Sequence, residues 1–288
     1  MPFWCGPLCY RIEGQAEVMD TRFLYHVLLR SEATLIALQQ TGSIPALNKK
    51  ELVTLSVPVP HIAVQHEIVK ILDTFTELEA ELEAELEARR RQYEYFRNKL
   101  LAFEAQLEWK PLHALCRIKT GGAVSKAAIE KNPGKYPVIN SGREPLGFFG
   151  IFNTDDDPIG ITSRGAGVGS VTWCEGKYFR GSLNYSVTVR EQSRLNVRFL
   201  YHLLLQLQPE IQKLATYQGI PALNKVNLEK LLVPMIDLGR QVEIAGALDS
   251  FDALVNDLSV GLPAELAARR MQFAHYRDQL LAFEEAPA

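Results

Sequence analysis

Three residues in this 288-residue chain have the types and spacing of a metal-dependent nuclease centre: Asp157, and the Glu175 and Lys177 of a later Glu-Gly-Lys triplet. That chemistry needs carboxylates to hold Mg²⁺ beside a Lys that assists the attacking water. The glycine inside the triplet fits a hairpin turn instead, and a second metal has no evident acidic partner; the nuclease stands as an alternative. Ser163-Arg164-Gly165-Ala166-Gly167-Val168-Gly169 has the glycines of a dinucleotide loop, yet a strand should follow it, so the anion-binding helix N-terminus is missing. A tight turn bringing backbone close to a ligand, with Arg164 at its base, is the better reading. Asp155-Asp156-Asp157 lacks the Gly and terminal Glu of a calcium loop. His26 and His202 occupy equivalent places on amphipathic helices and read as structural. Cys5, Cys9, Cys116 and Cys174 have no paired CxxC spacing, so neither a zinc ribbon nor a disulfide framework is indicated. Asn132-Pro133-Gly134-Lys135 does not supply the motif of an adenine methyltransferase. No residue set speaks strongly for catalysis.

Basic and aromatic residues do interleave over residues 107–206: Arg117, Lys119, Lys126, Lys135, Tyr136, Arg143, Arg164, Lys177, Tyr178, Arg180 and Tyr185. Arg and Lys fix phosphates, and Arg reads guanine edges bidentately. The whole-chain charge of −3 argues against nucleic acid only as an average. Residues 107–206 carry thirteen Lys+Arg against eight Asp+Glu, a net +5, whereas residues 61–106 and 207–288 carry −4 each.

The elements that must position these residues come in two copies. RFLYHVLL at 22–29 returns as RFLYHLLL at 198–205, and IPALNK at 44–49 returns unchanged at 220–225. Val57-Pro58 and Gln65-x-Glu67-Ile68 match Val233-Pro234 and Gln241-x-Glu243-Ile244, all at an offset of 176. AELEARR at 84–90 and LLAFE at 100–104 recur at an offset of 180, so four residues, about one helical turn, enter the second copy near Gly261-Leu262-Pro263-Ala264. Residues 107–176 have no counterpart in the first copy, which is therefore expected to lack its front part.

From Val64, apolar residues at Ile68, Ile71, Phe75, Leu78, Leu82, Leu86, Tyr93, Phe96 and Leu100 mark one helical face sustained over about 40 residues, a coiled-coil arm on the order of 60 Å long. The second copy repeats the stripe, with Pro263 expected to kink or divide it. TELEAELEAELEARR reads as a Glu-rich helix with a leucine seam, or as a spacer whose length changes in one-turn steps. Between the arms, Gly and Pro become frequent and short strand-like runs appear (YPVIN, PIGITS, GSVTW, LNYSVTV). The expected fold is α+β: a mostly β domain with small helices, plus two long helices forming an antiparallel coiled coil.

The order PIGITSRGAGVGSVTW, GKYFRGSLNYSVTV, RFLYHLLL, GIPALNK, then VP and QxEI leading into a long helix, resembles the specificity subunits of type I restriction-modification systems. The resemblance covers nearly the whole chain. It implies a target recognition domain followed by a spacer helix in each unit. Domains reading the two halves of a split DNA sequence would be held apart by the helices. By this resemblance residues 1–60 are the remnant of a first recognition domain and 61–106 its spacer helix; 107–236 are a complete second recognition domain and 237–288 its helix. A full first domain would need roughly 70 more residues. The implied partners are double-stranded DNA, DNA methyltransferase subunits and a restriction subunit. No cofactor is expected on this chain, with S-adenosylmethionine and Mg/ATP on the partners.

Lys119, Ser141, Arg143, Ser163, Arg164, Lys177, Arg180 and Asn184 are the residues expected near DNA. No apolar run reaches the ~18 residues of a membrane span, and the N-terminus is no signal peptide, so a cytoplasmic location is expected. The other readings are a Mg-dependent nuclease using Asp157, Glu175 and Lys177, and a structural coiled-coil adaptor.

Overall fold

A computed structural model describes residues 8–15, 17–40, 45–104, 106–142, 144–257 and 259–284; Cys5, Ile44 and Arg143 lie outside the described residues. The chain divides into two compact units, Met1–Arg90 with Leu254–Ala288, and Arg91–Ala253. Each unit takes pieces of both sequence copies.

In the first unit, helix Thr21–Arg30 starts where the Asp20 carboxylate accepts the Phe23 amide proton at 2.8 Å, satisfying an amide that the helix itself leaves free. Its buried stripe, Phe23, Leu24 and Val27, packs with Met19, Ile68, Leu72 and Leu281. Ile68 and Leu72 belong to helix Ile62–Leu100, whose residues up to Arg90 lie in this unit. Helix Leu262–Leu280 runs antiparallel to it. Phe75 stacks on Tyr276 at 5.4 Å, and further along the long helix Glu79 and Glu83 both accept from Arg270, with Arg270 Nε 2.6 Å from Glu79. Leu78, Leu82 and Leu86 recur every fourth residue, which drifts about 40° per step around the helix. Accordingly Leu86 is buried while Leu78 is half exposed.

The second unit holds the β structure. A four-stranded antiparallel sheet has the order Cys116–Thr120, Asn184–Val189, Ile159–Thr162, Val171–Trp173. All of Ile159–Thr162 is buried, as a β-branched strand covered on both faces should be. A smaller sheet places Pro133–Ile139 between Phe148–Phe149 and the parallel strand Phe179–Arg180. Helix Val197–Gln206 buries Phe199, Leu200, Leu203 and Leu204. The last turns of the long helix contribute Phe96, stacked on Phe251 at 5.3 Å, and Phe103 follows them, edge-on to Phe199.

The apolar stripe of the second copy is carried not by one helix but by two of 19 residues, Leu238–Asn256 and Leu262–Leu280. Pro263 divides it as expected: it sits in the first turn of the new helix, where its missing N–H costs nothing. Asp257 closes the intervening turn by accepting from the Ser259 and Val260 amides.

Internal repetition reaches the level of single hydrogen bonds. Gln65 accepts from the Asp20 amide and donates to the Val18 and Pro60 carbonyls; Gln241 accepts from the Asn196 amide and donates to those of Arg194 and Ile236. In each unit a wholly buried glutamine side chain thus ties the start of its own helix to the chain that enters the preceding RFLYH helix.

Candidate nucleic-acid interface

Arg180, on the two-residue strand beside Pro133–Ile139, is the hub of the second unit. It is 3% exposed. Its Nη1 donates to the Ile159 carbonyl (3.1 Å), Asn184 Oδ1 (2.6 Å) and the Tyr185 carbonyl (3.1 Å). Its Nη2 donates to the Asp157 carbonyl (2.6 Å) and the Tyr178 hydroxyl, with the Asp157 carboxylate 3.9 Å away. Asn153 fixes the Arg180 backbone from both sides, accepting from its amide at 2.7 Å and donating to its carbonyl at 2.9 Å. A buried guanidinium is tolerable only when paired and hydrogen-bonded, which this one is. Two glycines make room for it. A Cβ on Gly160 would come 2.6 Å from Asn184 Oδ1 and from Thr172 Oγ1, and one on Gly121 would come 2.4 Å from the Arg180 carbonyl. Burial pushes the Tyr178 phenol well above its ordinary pKa, against the opposing pull of Arg180, so it stays a neutral donor and acceptor.

Of the eight residues expected near DNA, Arg180 and Asn184 are therefore joined to each other inside the domain. Lys119 is exposed at the end of its strand and lines a cleft of about 250 Å³ with Thr120, Asn153, Asp155 and Asp157. Lys177, also exposed, stands 4.8 Å over the Phe152 ring with its Nζ 3.9 Å from Asp155. Asn184 thus bonds the hub directly, Lys119 shares a cleft with it, and Lys177 faces Asp155 of the same cleft.

Ser141, Ser163 and Arg164 gather at another place. Ser163 is buried: its amide donates to the Leu183 carbonyl and its carbonyl accepts from the Leu223 amide, both at 2.8 Å. Gly165 donates to the Pro221 carbonyl at 2.9 Å, and Arg164, itself exposed, bridges Ala222. Gly165 and Gly169 have φ of +97° and +78°, the left-handed region where glycine is at home. A Cβ on Gly167 would approach the Ser141 carbonyl at 2.9 Å, so the exposed Ser141 adjoins this loop. The loop is thus a tight turn clamped by Pro221-Ala222-Leu223, part of the repeated IPALNK sequence. Arg143 falls outside the described residues.

Sequence reasoning missed Asn153, Gly160 and the clamp. Only Gly160 left a signal, a lone glycine inside a β-branched strand, which marks a close approach.

The nuclease constellation does not assemble. Glu175 accepts from the Trp173 indole at 2.8 Å, Asp157 accepts from the Thr188 hydroxyl at 2.9 Å, and Lys177 faces Asp155. No group of three metal-capable side chains occurs among the described residues. Burial raises the Cys116 thiol to about 12 and raises Cys174 too, so neither is poised as a nucleophile. Among the described residues no helix is long and apolar enough to cross a membrane.

A family model for the type I restriction modification DNA specificity domain matches residues 1–88 and 106–268. The chain is 30% identical over 246 residues to the specificity subunit of the Escherichia coli type I restriction enzyme EcoR124I/EcoR124II, covering 78% of this chain and 61% of that one. It is 31% identical over 248 residues to a type I specificity subunit of Mycoplasma pneumoniae, covering 82% and 90%. In fold it is similar to the crystal structure of the type I restriction-modification S subunit from M. genitalium, with a TM-score of 0.68 at 20% identity, over 94% of this chain and 75% of that one.

Proposed function

The chain belongs to the type I restriction-modification DNA specificity family, whose specificity subunits are non-catalytic, and we propose that its residues 107–236 read DNA sequence for catalytic partner subunits. The observation that carries this reading is the division of labour around Arg180. One buried cation uses both of its terminal nitrogens to hold neighbouring strands and loops. Lys119, Lys177 and Arg164 are left exposed on the framework it fixes. Lys119 and Lys177 act on phosphates, while Arg164, on a rigid clamped turn beside Ser141, meets base edges. Arg180, Asn184 and Ser163 position these groups.

The partners in this reading are double-stranded DNA, methyltransferase subunits that bring S-adenosylmethionine, and a restriction subunit that brings Mg/ATP chemistry. The long helix sets the spacing between DNA half-sites, and one further ELEA turn would add about 6 Å to it. Footprinting of the complex formed with methyltransferase subunits tests this. Protection centred on one sequence and weakened by Arg164→Ala is expected; protection independent of sequence would reject it.

A further inference from the structure

Both sequence copies carry IPALNK unchanged, and in the second unit every residue of it but one has a task inside the fold. Pro221 accepts from the Gly165 amide at 2.9 Å. Ala222 pairs with Thr216 on one side and bridges Arg164 on the other. Leu223 is 2% exposed, donates its amide to the Ser163 carbonyl at 2.8 Å and accepts from the Tyr185 hydroxyl at 3.1 Å. Asn224 caps helix Lys225–Glu229 by accepting from the Val226 amide at 3.0 Å, and Lys225 pairs with Glu229 one turn on at 3.5 Å. The exception is Ile220. It is 64% exposed, so burial does not account for its presence in both copies.

Ile220 stands at the tip of a hairpin whose strands are Ala215–Thr216 and Ala222–Leu223. The same hairpin base occurs in the first unit, where Ala46 bridges Gln40. The tip is stiff. Ile220 is branched at Cβ, which restricts its rotamers, and Pro221 after it confines its backbone to the extended region. Gly219 makes the turn at φ +84°, and the Tyr217 hydroxyl fastens the other side by donating to the Gln212 carbonyl at 3.1 Å. The tip from Thr216 to Pro221 has no carboxylate, and the segment bridged to its returning strand is that of the exposed Arg164. A polyanion can therefore approach it without repulsion.

We propose that Ile220 is an apolar wedge that enters duplex DNA beside the base pair met by Arg164 and parts one base step. The inference rests on the DNA reading by residues 107–236 and adds to it a contact that is independent of sequence. A stiff, uncharged, exposed side chain on a hairpin held along both edges suits the unstacking of bases, since a loose one would be pushed aside. A side chain common to both copies carries no information that separates one half-site from another. It suits a contact that deforms the duplex rather than one that reads it. Tyr217, which is Thr41 in the first copy, is the variable part of the same tip.

The test uses the complex of the full chain with its methyltransferase subunits, and the duplex sequence that this complex enriches from a randomised pool. A fluorescent base analogue that brightens on unstacking is placed in turn at each step of that sequence, the methylated base excepted. A rise at one step is expected on binding. Ile220→Ala should abolish it and weaken binding about tenfold, with the sequence preference unchanged. Ile220→Leu, which keeps the apolar bulk, should retain most of the rise. Equal signals and affinities for the unaltered and Ile220→Ala complexes would overturn the inference, and so would a preference relaxed at one position, which would make Ile220 a base reader. Failure of Ile220→Ala to assemble with methyltransferase subunits in the absence of DNA would also overturn it, since protein would then cover the tip. An unaltered complex that enriches no sequence would defeat the DNA reading itself and this inference with it; the other outcomes leave that reading standing.

Discussion

His202 holds Asp249: the imidazole Nε2 lies 2.6 Å from the Asp249 Oδ1, with the ring wholly buried and Arg198 Nε 2.8 Å from the same oxygen. The first unit repeats the cluster in His26, Asp73 and Arg22, at 3.0 and 2.8 Å. Burial lowers the pKa of both histidines below the ordinary 6.5, outweighing the aspartates' opposing pull. Asp73 and Asp249 are also lowered: burial would raise them, but hydrogen bonds from the His and Arg prevail.

All four groups therefore bind fewer protons folded than unfolded. Their stabilisation is complete above the ordinary imidazole value and is lost as pH falls, first through the histidines below 6.5 and then through the carboxylates below 3.8. The urea midpoint should drop between about pH 7.5 and 5.5. The drop should be smaller in a chain carrying His26→Gln and His202→Gln. A midpoint that is flat over that range would refute the assignment.

Replacing the Arg180 hub removes a buried cation on which Asp157, Asn184, Tyr178 and two further carbonyls depend. Arg180→Met should destabilise the second unit by about 3–5 kcal/mol, read as a lower denaturation midpoint. An unchanged midpoint combined with lost DNA binding would instead make Arg180 a direct reader.

Gly160→Ala should be unfavourable by roughly 1–3 kcal/mol, because the added methyl meets Asn184 and Thr172 at 2.6 Å inside a packed sheet. Gly176→Ala is the useful contrast. Its Cβ would meet open space, and only its φ of +65° resists substitution. Thermal melts of the two variants should rank Gly160→Ala as the more damaging.

The sequence made the duplication visible because repeated residues do the same work twice. Gln65 and Gln241 lie within the matching QxEI segments and make matching bonds. Asp73 and Asp249 share the same offset, yet a single Asp on a charged helix reads as solvated; only the folded helix shows it turned toward a buried His. Arg180 misled for the opposite reason. A cation within a basic, aromatic stretch suits a phosphate, and its burial depends on strands Ile159–Thr162 and Asn184–Val189 meeting over it, a tertiary fact with no local signature. The clamp of residues 221–223 on the Arg164 loop likewise joins segments over 50 residues apart.

Exposed Lys119 and Lys177 should contribute charge without sequence information. Lys119→Ala or Lys177→Ala should weaken binding to all DNA sequences alike and reduce the log–log salt slope by about 0.9 each. An effect confined to one sequence would reassign that lysine to base reading.

The central claim, that residues 107–236 make this chain a reader of DNA sequence, is tested most directly by selection from a randomised duplex pool. The selection would use the complex of the full chain with its methyltransferase subunits, at fixed salt. Enrichment of one defined sequence is predicted, with Arg164→Ala relaxing it at one position by about 1–3 kcal/mol. Equal recovery of all sequences by the intact complex would contradict the account.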